Sequence, residues 1–215
     1  MKVGVLGTGM VGRALATKLA SLGHDVCMGA RDAGNEKAAE WARESGGRHG
    51  TFADAAGHGE LVVNATAGTA SLDALAAAGA ERLAGKVLID VANPLDASRG
   101  MPPTLAVCND DSLGERIQAA FPDARVVKTL NTVNAAVMVE PSMVPGEHTM
   151  FVCGEDDGAK AAARELLESF GWPGESILDL GGIESARGME MYLPLWLRLW
   201  RATGTAQLNV RVVRG

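Results

Sequence analysis

The hexapeptide Gly7-Thr8-Gly9-Met10-Val11-Gly12 limits what this chain can become more than any other stretch. Its three glycines follow an apolar β-rich run, Lys2–Leu6, and open a segment of helical periodicity that closes at Leu22-Gly23. Between a strand and a helix, G-x-G-x-x-G has a mechanical meaning. The first glycine permits a tight turn, the second lets a phosphate approach the backbone, and the third lets the helix pack on the strand. The helix N-terminus adds unpaired N–H groups and a partial positive charge. Gly7, Thr8, Gly9, Met10, Val11 and Gly12 are therefore expected to hold the pyrophosphate of a dinucleotide.

The rest of the chain repeats the alternation of β-rich runs and Ala-rich amphipathic stretches that marks βαβ units. Strands are predicted at Val26–Ala30, Leu61–Thr66, Lys86–Val91, Arg125–Lys128, Thr149–Cys153 and Ile177–Leu180, with a short strand meeting a helix around Thr51–Ala56. Helices are predicted at Asn35–Ser45, Ser71–Leu83, Ser112–Phe121 and Asp156–Phe170, with a loop from Ala92 to Pro103. The expected fold is α/β, a Rossmann-type doubly wound, mainly parallel sheet with a small C-terminal helical appendage. Residues 1–180 would form the dinucleotide-binding domain. Residues 181–215 are too few for an independent domain, so they would complete the substrate pocket and a dimer interface.

Composition excludes several alternatives. The 20 Lys+Arg against 26 Asp+Glu give a formal net charge of −6, which opposes nucleic-acid and anionic-lipid partners. No apolar run approaches the roughly 18 residues of a spanning helix, and the N-terminus enters a strand-like run without a targeting segment. Cys27, Cys108 and Cys153 are odd in number and far apart, and the four histidines lack metal-ligand spacing. A reduced, cytoplasmic protein without a metal site is the expectation.

Cofactor preference is read at the end of the second strand. A carboxylate there accepts from the ribose 2′-OH of NAD, whereas an arginine accommodates the 2′-phosphate of NADP. Here Ala30-Arg31-Asp32 offers both, with Arg31 at the expected position and Thr8 as a further donor, so NADP is favoured unless Asp32 turns inward. Ala65, Thr66, Asn93 and Pro94, at strand ends, would flank the ribose and nicotinamide; Asn131 and Thr132 would face a second substrate. Lys128 is the one ionisable catalytic candidate, with a place near the phosphates as its alternative role. Asp110-Asp111 and Asp156-Asp157 read as helix caps. The apolar stretch Met189–Trp200, including Met191, Leu193, Pro194 and Trp196, reads as core, or as a dimer contact and an aromatic wall for a planar ring.

The chain resembles the NADP oxidoreductase, coenzyme-F420-dependent family. The resemblance rests on Val5-Leu6-Gly7-Thr8-Gly9, Leu22-Gly23-His24, Gly29-Ala30-Arg31, Val126–Thr132, Cys153-Gly154-Glu155-Asp156-Asp157 and Glu190–Leu195. It implies a compact dinucleotide fold, NADP on the glycine loop with Arg31 at the 2′-phosphate (Ala30 standing where a serine is usual), a homodimer, and the deazaflavin of coenzyme F420 against the nicotinamide. The activity so implied is reversible hydride transfer between NADP(H) and F420. Two alternatives remain: a reductase of the same fold acting on a flavin, a ferric chelate or an imine, and a non-catalytic NADP-sensing module.

Overall fold

The computed structural model describes residues 1–215. Strand β1 (Lys2–Leu6) leads through the glycine turn into α1 (Met10–Ser21), and β2 (Asp25–Ala30) returns beside it. Helix α2 (Glu36–Ser45), capped by the Asn35 side chain on Ala38 N, precedes β3 (Arg48–Thr51), which ends where the sequence placed the start of a short strand. Thr51 and Asp54 then form a reciprocal capping box that starts α3 (Phe52–His58), a geometry that satisfies two orphan N–H groups at once. Strand β4 (Leu61–Asn64) follows.

The single helix expected over Ser71–Leu83 is instead two, α4 (Ser71–Ala78) and α5 (Ala80–Leu83). Gly79 between them adopts φ +93°, which no right-handed helix accommodates. After β5 (Val87–Asp90), the expected loop contains a two-residue antiparallel hairpin, β6 (Leu95–Asp96) with β7 (Thr104–Leu105). Helix α6 (Leu113–Ala120) is capped by Ser112, β8 (Arg125–Thr129) completes the central strands, and α7 (Ala135–Val139) is a short helix the sequence did not announce. Strand β9 (Met150–Cys153), α8 (Asp157–Ser169, capped by Asp156) and β10 (Ile177–Asp179) finish the sheet. The apolar C-terminal stretch forms two helices, α9 (Ala186–Met191) and α10 (Leu193–Thr203), with Pro194 in the first turn of α10, where its missing N–H has no cost.

The eight strands lie in the order β10-β9-β8-β5-β4-β1-β2-β3. Every neighbouring pair is parallel except β8 with β9. Side chains alternate across the sheet, so Val3 and Val5 join Leu15, Leu19 and Trp41 on one face, while Val62 and Leu88 join Leu75, Ile117 and Met189 on the other. Because the chain winds one way from β1 to β3 and the other way from β1 to β4 and β5, a crevice opens above the carboxyl ends of β1 and β4, where ligands bind in folds of this kind. No helix is long and apolar enough to cross a membrane.

Candidate functional site

The glycine motif sits at that crevice, and its three glycines do different work. Gly7 has φ +117°, and a Cβ there would lie 2.5 Å from the Ala65 carbonyl oxygen. A Cβ on Gly12 would collide with the Gly7 carbonyl oxygen. Both positions are glycine because the protein's own backbone fills the space. Gly9 differs: its φ of −74° is open to any residue, and a Cβ there would meet nothing within 4 Å. Nothing in the chain itself fills the space at Gly9, so its backbone is open to a group approaching from outside, at the N-terminus of α1. A pyrophosphate fits this cradle.

Two adjoining cavities extend from the motif. One, of about 700 Å³, is bounded by Gly7, Thr8 and Gly9, by Arg31 and Asn35 beyond β2, and by Phe52 and Asp73. Arg31 makes no hydrogen bond or ion pair with the protein and is exposed, whereas Asp32 accepts from Gly34 N at 2.7 Å and closes its own turn. The guanidinium is thus the group left free for an anion. Asn35, Phe52 and Asp73 escaped the sequence reading because the glycine spacing does not specify what surrounds it.

The second cavity, of about 420 Å³, continues over the ends of β4, β5 and β8. It shares Ala65 and Thr66 with the first, and adds Asn93, Asn131, Val133, Leu193 and Trp196. Its lining contains no titratable side chain. Asn93 and Asn131 form a reciprocal pair: Asn93 donates to the Asn131 carbonyl at 2.7 Å, and Asn131 Nδ2 donates to Asn93 Oδ1 at 3.0 Å and to the Met189 carbonyl at 3.1 Å. With Nδ2 facing two acceptors, the amide orientation is fixed and Asn131 Oδ1 is left buried without a partner, as is Trp196 Nε1. Leu130, just before this pair, holds φ +62° while fully buried, a conformation costing about 1–3 kcal/mol that persists where packing over-determines it.

Not every expected residue lines the crevice. Met10 and Val11 border the second cavity rather than the first. Thr132 is buried, with its hydroxyl unpartnered and outside the lining, and Pro94 is likewise buried and outside it. Met191 points to Asn109, whose N–H lies 3.4 Å from its sulfur, and Pro194 is exposed. The wall is made by Leu193, Trp196 and Leu197 of α10 instead. The expectation for Lys128 fails outright. Its ammonium is fully buried, 2.7 Å from Asp90, 2.8 Å from Glu190 and 2.6 Å from the Ala92 carbonyl. These carboxylates outweigh burial and hold its pKa above the ordinary lysine value, so it is neither a base nor a phosphate ligand. Its partners lie 38 and 62 residues away, which no local pattern reveals.

Comparison with known proteins now decides the family. Residues 2–94 match the family described as NADP oxidoreductase, coenzyme F420-dependent. Over 212 residues the chain is 31% identical to the F420-dependent NADP reductase of Methanothermobacter marburgensis, covering 93% of this chain and 92% of that protein. The chain belongs to this family of NADP-dependent oxidoreductases. A solved structure from Arthrobacter sp. FB24, provisionally named an F420-dependent NADP reductase, is 53% identical with a TM-score of 0.94 over the whole of both chains. Metalloreductase STEAP3 of Rattus norvegicus is also 31% identical over 91% of this chain, but the match spans only 38% of that longer protein. An imine reductase from Bacillus cereus, 20% identical with a TM-score of 0.62 over 94% of this chain and 62% of that one, shares the fold.

Proposed function

We propose that this protein transfers hydride reversibly between NADP(H) and the deazaflavin coenzyme F420. The observation that carries the reading is the chemistry of the second cavity: apolar, wide, and free of titratable groups. Reduction of an imine or a ketone calls for a proton placed at the reacting atom, and no residue here supplies one. Hydride exchange between two redox carriers needs no protein acid, because the deazaflavin's ring nitrogen takes its proton from water as the ring carbon takes hydride. The chemistry itself, hydride at the nicotinamide C4, is the cofactor's.

The protein's part is alignment. Gly7, Thr8 and Gly9 would hold the pyrophosphate, and Arg31 the 2′-phosphate through charge-assisted hydrogen bonds. Ala65, Thr66 and Asn93 would flank the ribose and nicotinamide. Asn131 and Trp196 border the same cavity, where the carboxamide end of the nicotinamide would lie. Leu193, Trp196 and Leu197 would press the second ring flat, and holding two reactants in register can lower a barrier by about 7–11 kcal/mol. The exposed apolar face of α10, Leu195 and Trp200, is the surface through which we expect two copies to associate.

Mixing the protein with NADPH and F420 tests the reading. Bleaching of the deazaflavin's visible absorbance, reversed by excess NADP, is expected; an unchanged spectrum contradicts it. The equal identity to a metalloreductase favours a second reading, reduction of a ferric chelate. In that case the chelate would sustain NADPH oxidation and F420 would not.

A further inference from the structure

One feature outside the crevice is built at evident energetic cost: the buried cluster of Lys128, Asp90 and Glu190, one cation between two carboxylates, all three at most 1% exposed. Ion groups so far from water need their hydrogen-bonding capacity met, and here all three ammonium protons and both oxygens of each carboxylate are engaged. Two of these engagements lead to the lining of the second cavity. Asp90 accepts from Asn64 Nδ2 at 2.8 Å, and Asn64 in turn accepts from the Thr66 hydroxyl at 2.7 Å, fixing the loop after β4. Asp90 also accepts from Ala92 N at 3.2 Å, and Lys128 donates to the Ala92 carbonyl, which fixes the backbone immediately before Asn93.

Glu190 closes the arrangement. Its carboxylate accepts from Leu113 N at 2.8 Å and Gly114 N at 3.0 Å at the start of α6, and from Lys128. Residue 190 lies in α9, one position after the Met189 carbonyl that holds Asn131 Nδ2, and three before Leu193 of the wall. Glu190 is therefore the only one of the three to arrive from the C-terminal helices, and it ties them to the strand ends that carry Asn93 and Asn131.

We propose that Glu190 is a positioning residue for the nicotinamide end of the cofactor, acting through Lys128 and through the Met189–Asn131–Asn93 contacts. It touches no ligand. It sets where the Asn131 amide and the α10 wall stand, while the glycine motif and Arg31, on other elements, bind the adenosine end independently of it.

The test compares two ligands and uses no second substrate, so it stands apart from the F420 reading. NADPH engages both cavities; 2′-phospho-ADP-ribose, lacking nicotinamide, engages the first. Titration calorimetry of the wild type is expected to show NADPH bound at least about tenfold more tightly. In Glu190→Gln the ratio should fall to within about threefold, with the affinity for 2′-phospho-ADP-ribose changed by less than about twofold. Asn131→Ser, which leaves the ion cluster intact, should narrow the ratio likewise, and the double variant should narrow it no further. Glu115→Gln is the structural control: it breaks the Glu115–Arg187 ion pair between α6 and α9, so it should lower thermal stability at the same α6–α9 contact and leave the ratio intact. An equal loss for both ligands in Glu190→Gln, an unaltered ratio, or a wild type that does not prefer NADPH would each overturn the proposal. If Glu190→Gln fails to fold, Glu190→Asp, which keeps the charge but draws it back from Leu113 N and Gly114 N, decides it by the same ratio.

Discussion

Replacing Gly9 by alanine separates a glycine kept for a ligand from glycines kept for the fold. The backbone at Gly9, φ −74° and ψ −178°, suits alanine, and the added methyl meets nothing of the protein. Alanine gains about 0.4–1 kcal/mol by restricting the unfolded chain and gives back a similar amount as a poorer N-cap than glycine. The apo protein should therefore stay within about 0.5 kcal/mol of wild type, a Tm change of about 2 °C or less for a chain this long. A methyl forced against a pyrophosphate is an overpacking, costing about 1–3 kcal/mol, which raises Kd by roughly fivefold to 150-fold. At a cofactor concentration 100 times the wild-type Kd, binding stabilises the wild type by about 2.7 kcal/mol. A tenfold weaker variant retains about 1.4 kcal/mol, half the shift. Differential scanning fluorimetry with and without NADP reads both quantities. An apo Tm lowered by 5 °C or more, or an undiminished cofactor shift, would refute the reasoning. Gly12→Ala, by contrast, should fail in the apo protein, because its methyl collides with the Gly7 carbonyl.

Other consequences follow from the same geometry. Arg31→Ala removes the free guanidinium at the end of β2, so NADPH affinity should drop about tenfold or more while NADH affinity holds, as titration of the two nucleotides will show. Hydrogen bonds from Arg187 hold the Glu115 carboxyl below its ordinary value of 4.5. A depressed carboxylate stabilises the fold above its unfolded pKa and loses that contribution as pH falls through the folded one. The urea midpoint of Glu115→Gln should thus lie below wild type at pH 7, and the gap should close as pH drops well under 4.5. Burial pushes the Cys153 thiol to about 12 and the Cys27 thiol to about 11. Iodoacetamide at pH 8 should therefore modify Cys108 alone in the native protein, as peptide mass mapping will reveal.

What the sequence disclosed, and what it concealed, follows physical lines. Strand β1, the glycine turn and α1 were legible because each signal there is local: alternating apolar residues, then glycines at fixed spacing, then a Gly23 terminus. Helix α7 was hidden because five residues carry too little periodicity to register. The break at Gly79 was hidden because an isolated glycine in a helical pattern is ordinarily tolerated. The free Arg31 could be anticipated from its place after β2, whereas the turn that occupies Asp32 depends on Gly34 and emerges only in three dimensions. The ion cluster at Lys128 was the deepest misreading. A lysine at a strand end reads as a catalytic group or a cation near phosphates until Asp90 from the neighbouring strand and Glu190 from a distant helix are seen to enclose it. Of the C-terminal residues expected at the pocket, Leu193 and Trp196 line the second cavity and Met191 and Pro194 do not, because helical phase, set by the start of α10 near Pro194, decides which residues face inward.

A protein that holds two flat carriers in register passes hydride directly between them. NADPH labelled with deuterium at the transferred C4 position, incubated with F420 and the protein, puts this to the proof. Mass spectrometry should find the label on the ring carbon of the reduced deazaflavin, transferred from one face of the nicotinamide with none lost to water. Label washed into solvent, or an unlabelled product, would contradict it.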